Sequence, residues 1–448
     1  MTPSPTVTEL IDQRPLSSLQ WWVLGLCTLV VLLDGFDVQA AAFTGPAIAA
    51  AWQLERSAMG PVYAAGLAGM AVGALLLGPL GDRYGRRPAL LLSVLAFGSC
   101  TLLTAWAQNF EQLLAMRLLT GMGLGGALPN TTALMSEYAP QRRRNLCIAI
   151  TFLGIPLGGI IGGLLASWLL PRYGWTSAYI VGGVAPLVLL PLLWRRLPES
   201  IAFLASRGAQ AQATVILRRI DPTADALVRP ATAQAKATGF PVRMLFAPGY
   251  ASDTLKLWAT FFTNLIAVYF LISWIPTLVV EAGFAMRYAT WATVALNLGG
   301  ATGPLLLAQL TARHGTRYAL PAALLLAALS VVVTGRVHQS LPLLLTLVFC
   351  CGFFSFGAQI SLNTLTAYIY PTQARSTGVG WALGIGRIGS ILGPLVGGLL
   401  LQMKLGLANY FLVFSTLLIA AALSAFVIRR HQPPSSGQSV PNDFKTQT

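Results

Sequence analysis

Four charged residues lie inside otherwise apolar stretches, and their chemistry suits proton transfer and anion binding. Asp34 and Asp37 stand three residues apart in the segment LDGFDVQ, so a helix places both carboxyls on one face. Arg117 and Arg387 are the cationic counterparts, and the guanidinium fork can donate two parallel hydrogen bonds to a carboxylate. An ionised side chain at mid-membrane costs roughly 2.5 to 3.5 kcal/mol when it is unpaired. We therefore expect all four residues to be paired or functional.

The two aspartates predict proton coupling. Burial and a neighbouring carboxylate both disfavour the charged form of a carboxyl group, so one of the pair could carry a proton near neutral pH and release it when the site hydrates. The three histidines lie in loops or the tail, which leaves a carboxylic acid as the intramembrane proton carrier. The alternative is a structural pair that only fixes helix packing.

The two arginines predict an organic anion as ligand, although each could merely neutralise Asp34 or Asp37. An aromatic ligand would stack on aromatic side chains and its hydroxyls would meet amides. Gln359, Trp381 and Asn130 are therefore our further candidates for substrate binding. The alternative for each is a role in helix packing or at the membrane interface.

The composition indicates the elements that hold these residues. The chain has 448 residues, of which 55% are apolar and 10% charged, and its mean hydropathy is +0.68; a soluble domain carries roughly 25% charged residues. A membrane helix needs about 20 mostly apolar residues. Such segments occur near 21–42, 59–80, 88–107, 113–135, 146–169, 177–194, 257–280, 289–311, 318–335, 341–363, 376–402 and 407–428.

Orientation follows from the basic residues, because basic loops stay in the cytoplasm. With the N-terminus inside, 22 of the 29 Lys and Arg residues fall on the cytoplasmic side. This topology explains the net charge of +15 better than nucleic-acid binding does. We predict a multi-pass protein of the bacterial inner membrane with both termini in the cytoplasm, and its first span lacks the basic flank of a cleavable signal.

The two halves of the chain repeat. Shifting by 230 residues superimposes Arg83, Gly85 and Arg87 on Arg313, Gly315 and Arg317, and internal repeats are common in transporters. The predicted fold is an all-α membrane protein with twelve transmembrane helices in two pseudo-symmetric six-helix bundles. We place the bundles at residues 1–196 and 253–430, a cytoplasmic central loop at 197–252 and a cytoplasmic tail at 431–448.

Several other kinds of site are excluded by spacing. Neither G-x-G-x-x-G match, at Gly121 and at Gly384, follows a strand, and no lysine belongs to a phosphate-binding loop. The five cysteines lie in apolar stretches without metal-ligand spacing. We predict no metal, no cofactor and no enzymatic activity. Glycines at spacing four, as at Gly154, Gly158 and Gly162, predict close helix contacts.

The segment GPLGDRYGRR at residues 78–87 resembles the loop signature of the major facilitator superfamily. DGFD at 34–37, RLLTG at 117–121, SEY at 136–138 and GIGRIG at 384–389 resemble its aromatic acid:proton symporters. The resemblance implies proton coupling by Asp34 and Asp37 and a substrate role for Arg117 and Arg387. It also implies a cytoplasmic gate that comprises Gly81, Asp82, Arg83, Gly85, Arg86, Arg87, Glu137, Arg313 and Arg375. Ala312 stands where the second signature usually has an acid, so the C-terminal gate is expected to be weaker or differently paired.

We therefore predict a proton-coupled symporter that imports a hydroxylated aromatic carboxylate of the hydroxybenzoate, protocatechuate or gallate type by alternating access. Its partners would be that substrate, protons and the lipid bilayer, with no nucleic acid, and it would act as a monomer. Uptake of a phenylpropionate or a muconate and proton-driven efflux remain alternatives. A membrane enzyme would need a catalytic histidine or an activated nucleophile within the spans, whereas a chemoreceptor would bind the acid without accumulating it.

Overall fold

Twelve long helices form the part of the protein that the structure describes. The computed structural model describes residues 16–221, 242–247, 249–337, 340–370 and 372–428, and no strand occurs within those residues. The long helices are α1 (Ser18–Ala51), α2 (Met59–Tyr84), α3 (Arg86–Thr104), α4 (Phe110–Tyr138), α5 (Arg144–Tyr173), α6 (Thr176–Arg196), α7 (Ala251–Glu281), α8 (Met286–His314), α9 (Thr316–Thr334), α10 (Leu341–Ile369), α11 (Thr372–Gln402) and α12 (Leu407–Val427).

Eleven of these helices are long and apolar enough to cross a membrane, as judged by length and composition. The remaining one, α4, has 29 residues, which correspond to about 43 Å of helix. Its glycines and the buried Arg117 and Asn130 reduce its hydropathy. The fold class predicted from the sequence is confirmed, and α4 is the span whose polar content carries the chemistry described below.

The helices pack into two bundles. In the first half α1 packs on α5, α2 on α4, and α3 on both α4 and α6. The second half repeats this arrangement, with α7 on α11, α8 on α10, and α9 on α10 and α12. The halves meet where α5 contacts α8, α2 contacts α11 and α1 contacts α7.

Glycines permit the closest helix contacts, as the spacing predicted. Gly158 of α5 lies against the backbone of Leu32 and Phe36 in α1, so a side chain there would collide with main-chain atoms. Gly121 of α4 lies in the same way against Gly66 of α2. In a membrane, such close approach supplies much of the packing energy between helices.

Contacts between the halves concentrate toward one face of the bundle. We call the face where α1 begins the near face and the face where α1 ends the far face. At the far face Arg56 pairs with Glu281 at 2.9 Å. One layer deeper, the ring of Tyr63 in α2 packs edge-on against Trp274 in α7, with centroids 5.3 Å apart. The halves are thus closed together at the far face.

The near face has a different arrangement. Gly380 and Gly384 of α11 have open space where a side chain would stand, with no neighbouring atom within 4 Å. They lie on the same face of α11 as Pro394 and Gly398, which contact Gly60 of α2 near the far face. A cleft between the halves therefore opens at the near face.

The connection between the halves contains three short helices, which are Ile201–Ser206, Gln210–Ile220 and Val242–Leu245. The predicted central loop at 197–252 falls partly on residues 222–241 and 248, and these lie outside the described residues, as does the predicted tail at 431–448. The placement of both termini also concerns residues outside that range.

Candidate functional site

A buried ion pair joins α1 to α4. Arg117 Nη1 lies 3.5 Å from Asp37 Oδ2, and the two residues are only 3% and 1% exposed. Asp37 Oδ1 accepts a hydrogen bond of 2.6 Å from Thr101 Oγ1 in α3. Three helices of the first half therefore fix one carboxylate beside one guanidinium.

The guanidinium of Arg117 has hydrogen-bonding capacity to spare. Its Nη2 donates to Thr104 Oγ1 and Thr120 Oγ1, both at 3.3 Å. Arg117 Cζ lies 4.9 Å from the ring centroid of Tyr179 in α6. A cation placed above an aromatic ring in this way is attracted to it. Arg117 Nε has no hydrogen-bond partner among the described residues. Arg117 can therefore bind a further anion.

Asp34 faces the other half. It is 2% exposed, and within the described part of the chain its buried Oδ2 lacks a hydrogen-bond partner. The charges of Asp37 and of Arg387 in α11 both act on it, and those of Asp34 and Arg387 act on Tyr269 in α7. Asp34 therefore lies within electrostatic range of Arg387, although the two residues belong to opposite halves.

A pocket of about 440 Å³, partly open to solvent, lies beside Asp37 and Arg117 and is lined by both halves. Its polar lining comes from Asp37, Tyr63, Arg117, Thr120, Tyr269 and Ser273, and its apolar lining from α1, α2, α4 and α7. The cavity combines apolar walls with a cationic group, which suits an apolar anion.

The remaining substrate-binding candidates lie elsewhere. Gln359 of α10 accepts a hydrogen bond of 2.9 Å from Asn264 Nδ2 in α7. Trp381 of α11 stacks on Trp258, with centroids 5.7 Å apart and planes at 20°. Asn130 donates to the carbonyl of Gly126 at 2.7 Å and lies 13 residues, about 20 Å, along α4 from Arg117. The structure does not bring Asn130 to the cavity.

The predicted gate residues of the first half form a network at the near face. Asp82 and Arg86 are ion-paired, and Gly81 lies against the Asn130 amide. The backbone N–H of Arg87 donates to Glu199 Oε1 at 3.1 Å. Gly85 has φ of 108° and lies against the same carboxylate, so both its conformation and its surroundings require glycine.

Two further contacts extend this network into the connection. The carbonyl of Arg83 accepts a hydrogen bond of 2.6 Å from Arg207 Nη2. Glu137 Oε2 accepts one from Ser200 Oγ at 2.5 Å. The segment that follows α6 is therefore bound to the ends of α2 and α4.

The predicted gate residues of the second half are differently placed. Arg313 and Arg375 are exposed, and neither has a hydrogen bond or an ion pair to any residue that the structure describes. Ala312, beside Arg313, provides no carboxylate. Among the described residues, Arg313 and Arg375 therefore do not form a network like that of the first copy.

Several site residues were missed by the sequence reasoning. Thr101, Thr104, Thr120 and Tyr179 complete the surroundings of the Asp37–Arg117 pair. Threonine and tyrosine are common in membrane helices, and nothing in their local spacing distinguishes these positions. Tyr269 lies within electrostatic range of Arg387 and Asp34, a placement that depends on the packing of α7.

No metal centre is evident, because the described residues contain no cluster of three or more histidine, cysteine, aspartate or glutamate side chains that could hold an ion.

Comparison with known proteins places the chain in a family. Residues 27–293 and 257–446 match the model of the Major Facilitator Superfamily. The chain is 42% identical to a gallate transporter of Pseudomonas putida over 423 residues, which cover 93% of this chain and 94% of that protein. It is 39% identical to the 4-hydroxybenzoate transporter PcaK of Acinetobacter baylyi over 425 residues, with 94% and 92% covered.

Among solved structures, the inward-open conformation of the xylose transporter XylE from E. coli matches with a TM-score of 0.74. Its sequence is 18% identical, and the match covers 94% of this chain and 98% of that chain, so the likeness concerns the fold. The family match and the identity to the two relatives over more than nine tenths of their length lead to one conclusion: the chain belongs to the major facilitator superfamily, a family of membrane transporters.

Proposed function

We propose that this protein is a proton-coupled symporter that imports a hydroxylated aromatic carboxylate of the hydroxybenzoate, protocatechuate or gallate type. It would act as a monomer in the bacterial inner membrane, with both termini in the cytoplasm. Residues 1–196 and 253–430 would be the two bundles that move against each other. The relatives named as gallate and 4-hydroxybenzoate transporters support this substrate class.

The observation that carries the proposal is the Asp37–Arg117 ion pair beside a cavity with apolar walls. A buried guanidinium without its carboxylate would be costly, and Asp37 supplies that carboxylate to Arg117. An incoming substrate carboxylate can take its place because it offers the same charge and two oxygens in the fork geometry. The aromatic body of the substrate would then occupy the apolar part of the cavity.

Asp34 is our candidate for the proton carrier. Its buried Oδ2 has no partner among the described residues, and an ionised carboxylate that lacks hydrogen bonds is expensive to bury. A proton on Asp34 removes that cost while the site is closed. Arg387 lies near enough for its charge to act on Asp34, so arrival of the substrate anion at Arg387 would change how favourable that proton is.

The excess of basic residues on the near-face side supports a cytoplasmic near face. In this orientation the cleft over Gly384 opens inward, and the far-face contacts of Arg56 with Glu281 and of Tyr63 with Trp274 close the outside. The structure then corresponds to an inward-facing step, in which substrate and proton leave to the cytoplasm. The near-face network around Glu137 and Glu199 would serve as the gate in the opposite step.

The experiment is uptake of labelled 3,4,5-trihydroxybenzoate, 4-hydroxybenzoate, benzoate and a muconate into proteoliposomes under an imposed pH gradient. We expect accumulation of the hydroxylated acids when the outside is acidic, and none when a protonophore collapses the gradient. Glu111→Gln is a suitable control for substitutions of Asp34 and Asp37, because Glu111 is an exposed acid in the first turn of α4.

Three results would contradict the proposal. Failure of every aromatic acid would remove the substrate class, and gradient-driven extrusion from preloaded vesicles without uptake would make the protein an exporter. Accumulation that persists with a protonophore would refute coupling to protons.

A further inference from the structure

The side of α11 that faces the cleft has open space next to Arg387. Residues 398, 394, 391, 387 and 384 follow one another at helical spacing and share one face. The far-face members of this series touch α2, and Ile391 packs against the core of the first half. Beyond Arg387 the same face continues with Gly384, where an added Cβ would meet nothing within 4 Å. A flat, unobstructed patch therefore lies about 4.5 Å along the helix from the level of Arg387.

An indole borders this patch. Trp381 is three residues from Gly384, is 41% exposed and stacks on Trp258 of α7. This stacking fixes the Trp381 ring plane while the rest of its surface stays open. Aromatic rings pair best in offset or edge-on arrangements with centroids about 4.5 to 7 Å apart, so Trp381 provides a partner for a ligand ring that lies over Gly384.

A pair of amides with unused hydrogen-bonding groups lies near the level of Arg387. Asn264 is fully buried and donates to Gln359 Oε1 at 2.9 Å, while its own Oδ1 has no partner among the described residues. Among the described residues, Gln359 Nε2 makes one long hydrogen bond, of 3.4 Å to Asn363 Oδ1. The hydrogen bond from Asn264 of α7 orients the Gln359 side chain. Trp258 of the same helix stacks on Trp381.

We propose that this wall of the second half is the ring-recognition subsite of the transporter. It would hold the substrate once it has left Arg117 for the near-face cleft, with the carboxylate of the benzoic acid at Arg387 and its ring over Gly384 beside Trp381. The Gln359–Asn264 amide pair would bind hydroxyls on the ring. Gly384 supplies space, Trp381 stacking, and Gln359 the selection of hydroxylated over unsubstituted rings. This inference rests on the proposed function and names the groups of the second half that recognise the carboxylate, the ring and its hydroxyls.

The expected selectivity follows from the amide chemistry. A phenolic hydroxyl can accept from Gln359 Nε2 and donate to a carbonyl oxygen, whereas the C–H edge of benzoate leaves these groups unsatisfied. The net contribution of one hydrogen bond corresponds to about a tenfold change in affinity. A hydroxylated acid should therefore bind about tenfold more tightly than benzoate, and the difference should depend on Gln359.

The test is equilibrium binding of 3,4,5-trihydroxybenzoate and of benzoate to the purified full-length protein in detergent, measured by calorimetry. Gln359→Leu should weaken binding of the trihydroxylated acid about tenfold and leave that of benzoate unchanged. Gly384→Val should weaken binding of both acids, because its side chain occupies the open space without meeting a protein atom at Cβ. The matched control is Gly380→Val, one turn farther from Arg387 and equally open, which should bind both acids as the unaltered protein does.

The proposal is overturned if Gln359→Leu affects both acids equally or neither of them, or if Gly384→Val binds them normally. Because binding is measured separately from transport, the two proposals fail differently. A protein that binds these acids with the predicted selectivity and does not accumulate them retains the subsite and loses the symport assignment. A protein that binds no aromatic acid loses both.

Discussion

The side-chain amides of Gln39 and Asn297 form two reciprocal hydrogen bonds across the boundary between the halves. Gln39 Nε2 donates to Asn297 Oδ1 at 3.1 Å, and Asn297 Nδ2 donates to Gln39 Oε1 at 2.6 Å. Both residues are 2% exposed. Gln39 lies two residues after Asp37 on α1, so this pair connects the helix that carries the two aspartates directly to α8 of the opposite half.

Replacing one member of this pair should be worse than replacing both. Gln39→Leu or Asn297→Leu leaves a buried amide unsatisfied, which costs about 1 to 3 kcal/mol, whereas removing both partners can be nearly neutral. We expect each single variant to lower the midpoint of thermal unfolding in detergent and the double variant to recover most of the loss. The control is Asn409→Leu, which removes an exposed side-chain amide. Additive losses in the double variant would argue against a coupled pair.

The Asp37–Arg117 pair allows structural and functional roles to be separated. Breaking a buried ion pair on one side typically costs 3 to 5 kcal/mol, because an uncompensated charge stays buried. Asp37→Asn and Arg117→Gln should therefore each reduce thermal stability, and the double variant should regain most of it. Uptake should be lost in all three, since none keeps both the guanidinium and its exchange partner. A stable double variant that still transports would show the pair to be structural.

Close packing of α5 on α1 should depend on Gly158. A methyl group there meets the backbone of Leu32 and Phe36, and overpacking of this kind typically costs about 1 to 3 kcal/mol. Gly158→Ala should lower both the unfolding midpoint and the initial rate of uptake. Gly78→Ala is the matched control, because Gly78 is also helical and an added Cβ meets nothing within 4 Å. Equal behaviour of the two variants would contradict this packing.

The near-face network should depend on one carboxylate that the sequence did not single out. Glu199 Oε1 accepts the backbone N–H groups of Arg87 and Ser200, at 3.1 Å and 2.7 Å. Glu199→Ala should lower thermal stability by removing the acceptor for both. Glu199→Gln keeps a carbonyl oxygen in place and should lose less. If Glu199→Gln is as damaging as Glu199→Ala, the negative charge rather than the acceptor geometry holds the segment.

Much of the fold was predictable because the membrane imposes strong constraints on sequence. Apolar runs of about 20 residues mark the spans, and the repeat between Arg83 and Arg313 marks the duplication. The helices observed are longer than the apolar runs, as α1 over Ser18–Ala51 shows against a predicted span near 21–42, because helices continue past the hydrocarbon layer. Only α4 falls short of the apolar pattern, and it carries Arg117.

The site was predictable only where charge made a residue conspicuous. Asp34, Asp37 and Arg117 stand out because an ionised group inside a membrane is costly. Thr101 and Tyr179 have no such signal, and their contacts with Asp37 and Arg117 arise from how α3 and α6 pack against α1 and α4. The placement of Asn130 against Gly81, away from the cavity, likewise depends on tertiary packing that residue type does not reveal.

The central claim is that a protonatable Asp34 couples the movement of substrate to that of a proton. The most direct measurement compares two assays of Asp34→Asn in proteoliposomes: counterflow of labelled 4-hydroxybenzoate against unlabelled acid, and accumulation under a pH gradient. We predict that counterflow persists, because an amide resembles the protonated carboxyl, and that gradient-driven accumulation is lost. Accumulation at the level of the unaltered protein would contradict the account.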